Sequence, residues 1–506
     1  VVVERVPGVD VRERRFIRID GLSPATRIGV HNASLVNLER AVLERVFYVQ
    51  GPGGFVPVPQ PRVPFTLPEF TTNVVSRCGI VTPISEQDFV NCYKARKRTV
   101  YQMAMDSLAV TELERKDAYL AAFVKYEKLN FSAKADPTPR LIQPRQPRFN
   151  LCVGRFIKPL ERRLYRAIDR TFGSRTVMKG LNYVERANCL RRKWDKFHAP
   201  CGIRADAKRF DQHVSVEALR WEHSVYKRCI PRADRATLSR WLEWQVHNRG
   251  FGRVRNGFVK YRVDGRRASG DMNTACGNVL IMCGLVYQFV LHLGIKAELA
   301  DDGDDFILIV ESADAPRVLA AFDQFFLDYG FEMEVADPCY RFEELILCQT
   351  SPVWDGQGWV MVRCPAVGVA KDTTCLVTID SSKNLKRWMA GVGEGGMSLA
   401  GGIPIYDALY RRYSAEGEGY RPLEHLALDS GFYLQALLMK DDSRRDRPVT
   451  DTARISFWQS FDIEPAVQEI LEAHYRSARI EWPLVQVDAR PRDAAAAPVG
   501  APPELL

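Results

Sequence analysis

The sequence predicts an α+β fold with an antiparallel sheet, on three observations. Strand-like runs occur in adjacent pairs around tight turns, helical runs lie between those pairs, and the chain reads as mostly helical after residue 380. The paired runs are GRVR-Asn256-Gly257-FVKYRV, then Glu298–Ala300 with Phe306–Val310, then LILCQTSPVW-DGQG-WVMVR within 343–363. Asn-Gly between apolar runs is a strong hairpin signal. FILIV, continuously apolar, reads as a buried strand.

The remaining elements follow in order. Residues 50–68 are rich in Gly and Pro and read as an extended connector. Residues 84–130 read as helical, with a Lys/Arg cluster at 94–98. From Lys125 to Arg170 the chain is densely basic. Within it PTPRLIQPRQPRFN carries prolines that exclude a helix and leave its arginines exposed. CGIRAD (201–206) is a strand candidate, followed by helices over about Val216–Cys229, capped by Ser215, and about Ala233–His247. Pro404 sits near a helix start, and Val467, Ile470 and Leu471 have helical spacing. Gly-rich 391–402 is expected to be a mobile loop, and the tail from 487 to be disordered. No internal repeat occurs.

At 506 residues the chain needs several lobes. The net charge of +9 weakly favours a polyanionic partner. Twelve cysteines show no CxxC pair and no zinc-ligand spacing, so buried free thiols in a reducing compartment are expected. The chain lacks a start methionine and reads as a fragment or processed product; its N-terminus has no apolar signal core. Val279–Leu293 is too short to span a bilayer and reads as a buried helix, so no direct membrane span is expected.

Chemistry concentrates in three places. Asp301, Asp302, Asp304 and Asp305 crowd one hairpin tip with no Lys or Arg nearby in sequence. Their repulsion costs stability unless cations neutralise it, and hard oxygen ligands suit Mg²⁺ or Mn²⁺. Such a turn alone is more often merely solvated. Asp206 ends a strand, where a second strand's acids could meet it, and Asp211 lies in the turn before a helix. Two aspartates at that spacing mean little in isolation. Ser269-Gly270 forms a flexible loop, and Thr274 and Asn278 share a helix face, offering neutral hydrogen-bonding groups beside whatever Asp211 binds; a capped buried helix is the plain alternative. In this order the three fit a polymerase palm: one carboxylate set from two strands, and a polar set that reads a sugar.

These runs resemble the RNA-dependent RNA polymerases of the tombusvirus family of positive-strand RNA viruses. DAKRFDQHVS, SGDMNTACGN and GDD match the motifs called A, B and C. GVHNASLVNLERAVLERVFYV (29–49), FVKYEKLNFSAKADPTPRLIQPRQPRFN (123–150), VMKGLN (177–182), LCQTSPVWDG (347–356) and WVMVR (359–363) also look like that family, which is recognisable from about 27 to 380. The resemblance implies a right-hand polymerase: an N-terminal segment (1–60) linking fingers and thumb, fingers (61–200), a palm (201–363) with a fingers insertion near 231–262, and a mostly helical thumb (364–486).

It further implies that Asp206 and Asp304, assisted by Asp305, hold two Mg²⁺ ions, with Mn²⁺ able to substitute, about 3.5–4 Å apart. Asp211, Ser269, Gly270, Thr274 and Asn278 would read the ribose of the incoming ribonucleoside triphosphate. Lys125, Lys128, Lys134 and Arg140 match the basic motif F and would contact the triphosphate, with Arg145 and Arg148 as candidates for the same wall or for template phosphate. The 345–363 hairpin matches motif E, which places the growing RNA 3′ end. Expected partners are RNA template and product and a membrane-anchored viral replication protein, which would bring the chain to membrane-associated replication complexes in the host cytoplasm. One departure stands out. Glu334 occupies a position where relatives commonly have Lys, no lysine occurs between Lys296 and Lys371, and Arg341 is a poor proton donor, so no general acid is assigned. Asp301 and Asp302 replace residues that are often Asn, either tightening metal binding or simply solvated.

Two competing readings remain at this point. A reverse transcriptase shares the two-metal palm but would usually have an aromatic residue before its Asp pair and a bulky side chain at the 2′ position. A non-catalytic RNA-binding scaffold would use the basic 94–170 region and leave the acid set unexplained.

Overall fold

The computed structural model describes residues 1–11, 13–19, 21–22, 26–422, 439, 442–480, 482 and, as backbone, 485–488. Its centre is an antiparallel four-stranded sheet in the order Ala297–Asp301, Asp305–Glu311, Pro200–Ala207, Met333–Val335. The middle of this sheet is covered on both faces, which is why FILIV is apolar throughout. Phe306, Leu308 and Val310 pack with the helices Thr274–Leu293 and Ala315–Asp328. Ile307 and Ile309 point the other way, onto Leu190 and Trp194 of helix Tyr183–Trp194 and Met361 of the hairpin Thr350–Trp354/Trp359–Arg363. Alternation along a strand sends successive side chains to opposite faces. Gly202 is required on this second face, where a Cβ would come within 2.3 Å of Leu345.

The helix Thr274–Leu293 is longer than the apolar run suggests, and by length and composition it could cross a membrane. Here it is a core helix, with Cys276 to Val286 buried against the sheet.

A second sheet takes the order Val2–Arg5, Gly257–Asp264, His247–Val254, Leu120–Ala121. Its hairpin turn is one residue earlier than the Asn-Gly signal suggests. Val254 pairs with Gly257, so Arg255 and Asn256 make the turn. Gly257 instead opens the next strand, where a Cβ would collide with the Glu4 carbonyl at 2.3 Å. The N-terminal stretch therefore joins two distant parts. Val2–Arg5 extends this sheet, while Arg15–Arg18 pairs with both Thr374–Cys375 and Val485–Asp488.

Several expectations are corrected. The 84–130 stretch is helical only at Glu86–Asn91 and Ala95–Val110, apart from a 3₁₀ turn at Arg115–Ala118; short strands follow. The proline-rich run does enter a helix, Pro147–Phe172, because proline at the first helical position forfeits no hydrogen bond. Residues 391–402 are no mobile loop: up to Ala400 they form the C-terminal half of helix Ser382–Ala400. Its glycines serve packing, since a Cβ on Gly393 would lie 2.7 Å from the Ser414 amide and one on Gly396 2.2 Å from the Tyr410 ring, both on helix Tyr406–Glu416. Of the tail, 487–488 belong to a strand and 489–506 lie outside the described residues. All twelve cysteines are free, but Cys92, Cys348 and Cys364 are exposed and Cys339 is only partly covered.

Candidate active site

The ladder of the central sheet brings the acids together. Asp206 lies directly opposite Asp305, and the Ala207 amide donates to the Asp304 carbonyl at 3.0 Å, so residues about a hundred positions apart meet at one strand end. Cross-strand partners have Cα atoms roughly 4.5–5.5 Å apart. Gly303 makes the reversal possible, with φ at +104°. Burial first, then the charges of Asp304 and Asp305, push the Asp206 carboxyl up to about 7. Burial also raises Asp305.

The four acids of the turn have separate fates. Asp301 is fully buried, its carboxyl is raised by that burial, and one oxygen accepts from the Gly303 amide at 3.1 Å. Asp302 is neither a solvated acid nor free for a cation. It is clamped by Lys179 at 2.7 Å and Arg186 at 2.6 Å, which outweigh the burial opposing its ionisation and hold its carboxyl low. These cations lie far away in sequence. Thr176–Met178 pairs with Asp301 through backbone bonds of 2.8 and 2.9 Å and so delivers Lys179 to the turn. Asp305 is held by Arg204 at 3.3 Å and the Cys348 amide at 2.7 Å. Asp206 and Asp304 have no such partner among the described residues.

Asp206 and Asp304 open into a cavity of about 630 Å³ that also carries Asp211, Ser269, Gly270, Thr274, Asn278 and Arg140. Behind the polar set runs a buried chain. Glu222 pairs with Arg267, whose Nε donates to Asn278 Oδ1 at 3.0 Å, and Asn278 Nδ2 donates to Asp211 Oδ1 at 3.1 Å. The amide of Asn278 is thereby fixed in orientation. Burial pushes the Asp211 carboxyl up to about 6 against that hydrogen bond. The Thr274 hydroxyl donates to the Ala268 carbonyl at 3.0 Å. Gly270, at φ +129°, sits where a Cβ would press on Pro144 at 3.0 Å.

The basic residues divide. Arg140 reaches the cavity wall and bonds Glu127 at 3.1 Å. Lys125 also pairs with Glu127, Lys128 reaches the Lys371 carbonyl at 2.8 Å, and Lys134 is exposed; these three lie off the cavity wall. Arg145 and Arg148 are used for structure instead. Arg145 is buried against Asp271 at 2.5 Å, and Arg148 ties Asp117 to the carbonyls of Thr111 and Glu112. Arg45, Lys179 and Arg209 line the cavity without having been singled out. The signal for them was present, since each falls inside a run that resembles the family. Burial, then the charges of Arg209 and Arg140, lower the Arg45 guanidinium to about 10. Arg140 pairs with Glu127 and Arg209 lies 3.7 Å from Glu44, yet their charges still oppose that of Arg45, and an anion in the cavity would relieve this repulsion.

The site suits hard cations. Asp206 and Asp304 have no ion-pair partner among the described residues, and Asp206 is raised by burial and then by its acidic neighbours, so the pair gains from a divalent ion. Among the described residues no three ligating side chains close around one point. An open pair of this kind leaves coordination positions to water and phosphate oxygens, the usual mode for Mg²⁺.

The chain resembles known proteins over nearly its whole length. A family model described as viral RNA dependent RNA polymerase matches residues 1–483. The chain is 43% identical over 479 residues to the RNA-directed RNA polymerase of Turnip crinkle virus, covering 93% of this chain and 61% of that protein. It is 39% identical to those of Tobacco necrosis virus strain A (94% of this chain, 65% of the relative) and Carnation mottle virus (95% and 62%). The chain thus spans about half to two thirds of the length of the curated relatives it matches.

Proposed function

The chain belongs to the viral RNA-dependent RNA polymerase family, whose members have a right-hand polymerase fold, and on that premise we propose that it joins ribonucleotides on an RNA template. The observation that carries this reading is the register that sets Asp206 opposite Asp305, with Asp304 beside them at the mouth of the cavity. In this reading the central sheet is the palm and the N-terminal segment ties fingers to thumb.

Asp206 and Asp304 would hold two Mg²⁺ ions. Bound there, such ions activate a 3′-hydroxyl and neutralise the departing pyrophosphate. Arg45, Arg140 and Arg209, which line the same cavity, would orient the triphosphate and oppose its charge. Asp211 and Asn278 present an acceptor and an amide whose direction Arg267 fixes, a pair able to require a 2′-hydroxyl. A polar site built for a hydroxyl rejects the analogue lacking it, because its buried groups go unpaired. That pair favours an RNA polymerase over a reverse transcriptase.

The test is Mg²⁺- or Mn²⁺-dependent nucleotide incorporation by the purified chain on a heterologous RNA, with rNTPs and dNTPs compared. Asp304→Asn should abolish synthesis while leaving RNA binding intact. Retained synthesis in that variant would overturn the assignment.

A further inference from the structure

Immediately behind the carboxylates lies a turn whose residues contradict its shape. Leu347 and Thr350 exchange both backbone hydrogen bonds, at 2.9 and 3.0 Å, so Cys348 and Gln349 are the central pair of a two-residue reversal. Both have positive φ, 52° and 61°. Turns of this kind select Gly, Asn or Asp, and neither cysteine nor glutamine favours the left-handed region. Such strain persists only where tertiary contacts over-determine it, and it gathers at functional sites.

The Gln349 carbonyl accepts from the Cys364 amide at 3.4 Å, whereas Cys348 is held chiefly by the acidic turn. The Cys348 amide donates to Asp305 Oδ2 at 2.7 Å, and its thiol donates to Asp302 Oδ2 at 3.2 Å. Arg204 takes the other oxygen of Asp305 at 3.3 Å. Lys179 and Arg186 complete the hold on Asp302. Both oxygens of Asp305 are therefore engaged from outside the cavity, while its neighbour Asp304 lines it. A right-handed or extended backbone at Cys348 would swing its N–H away from Asp305.

We propose that the left-handed Cys348–Gln349 turn is a positioning element: its amide fixes the Asp305 carboxylate so that Asp304 and Asp206 stay directed at the cations. The inference rests on the polymerase reading. It assigns the function to the backbone conformation and not to the side chains. An amide donated to a carboxylate is a short, charge-assisted bond that confers orientation. Residues that orient metal-binding groups typically matter to metal affinity nearly as much as the ligands do.

The experiment measures Mn²⁺ affinity of the full chain by electron paramagnetic resonance, without RNA or nucleotide, beside kcat and KM for nucleotide incorporation. Cys348→Asn/Gln349→Gly keeps the left-handed backbone and should retain Mn²⁺ affinity and kcat within about twofold, because only the side chains change. Cys348→Val/Gln349→Val disfavours positive φ and should weaken Mn²⁺ binding and kcat by about tenfold, with nucleotide KM little changed. In an Asp305→Ala background the Val pair should have no further effect on Mn²⁺ binding, since its target is gone. Equal losses with and without Asp305 would overturn the proposal, marking the turn as merely structural. So would loss of Mn²⁺ affinity in the Asn-Gly variant, a result that stands even where the Val pair does not fold. The polymerase reading is tested separately by Asp304→Asn, whose failure leaves these Mn²⁺ measurements unaffected.

Discussion

Replacing Asp206 by Asn should stabilise the metal-free protein while destroying its activity. A carboxyl that titrates at about 7 instead of 3.8 is penalised in the folded state whenever it is ionised. The folded form therefore holds its proton more tightly than the unfolded chain. The associated stability is complete below the unfolded value of 3.8 and is lost as pH rises through about 7. At about 1.4 kcal/mol per tenfold change in ionisation constant, the loss above pH 7 is at most about 4 kcal/mol. Partial solvent exposure and relaxation of the turn reduce this to about 1–2 kcal/mol. Urea unfolding at pH 8 in EDTA should show Asp206→Asn more stable than the parent by that amount. The gain should shrink at pH 5 and shrink again when Mg²⁺ is added at pH 8, because the cation replaces the proton as the neutralising charge. RNA synthesis should fall by about a hundredfold or more. An Asp206→Asn protein no more stable than the parent at pH 8 in EDTA, or a gain unaltered by Mg²⁺, would refute the electrostatic account.

Other perturbations have equally definite outcomes. Asn278→Ala removes the donor to Asp211 and should reduce the preference for rNTP over dNTP by about tenfold or more, read from the ratio of kcat/KM values. Arg45→Ala should raise the nucleotide KM by about tenfold with kcat largely retained, because Arg140 and Arg209 still line the cavity; steady-state kinetics on a fixed template decides this. Gly396→Ala would drive a methyl into the Tyr410 ring and should cost about 1–3 kcal/mol of stability, visible in thermal unfolding, with metal affinity unchanged.

The local signals that were legible share a cause. Strand Pro200–Ala207 and helix Val216–Arg228, capped by Ser215, were readable because alternation, capping and turn residues act over a few positions. Elsewhere, distant chain overrides local preference. Gly393 and Gly396 suggest a loop when only the chain on either side is considered. They suit a helix once Ser414 and Tyr410 arrive against them. The hairpin turn moved to Arg255–Asn256 because the Glu4 carbonyl leaves no room for a side chain at Gly257. Arg145 read as a free cation because Asp271 lies 126 positions away.

The sequence by itself determined the α+β class, the order of the three chemical runs and the identity of the acids, since composition and spacing are written along the chain. Only the tertiary structure decided how those acids divide. Asp302 is spoken for by Lys179 and Arg186, Asp301 is buried, and Asp305 is held by a strained turn, which leaves Asp206 and Asp304 open to the cavity. The reason is physical. A charge responds to what surrounds it in space, within about the Debye length of 8 Å, and its neighbours in space were not its neighbours in sequence.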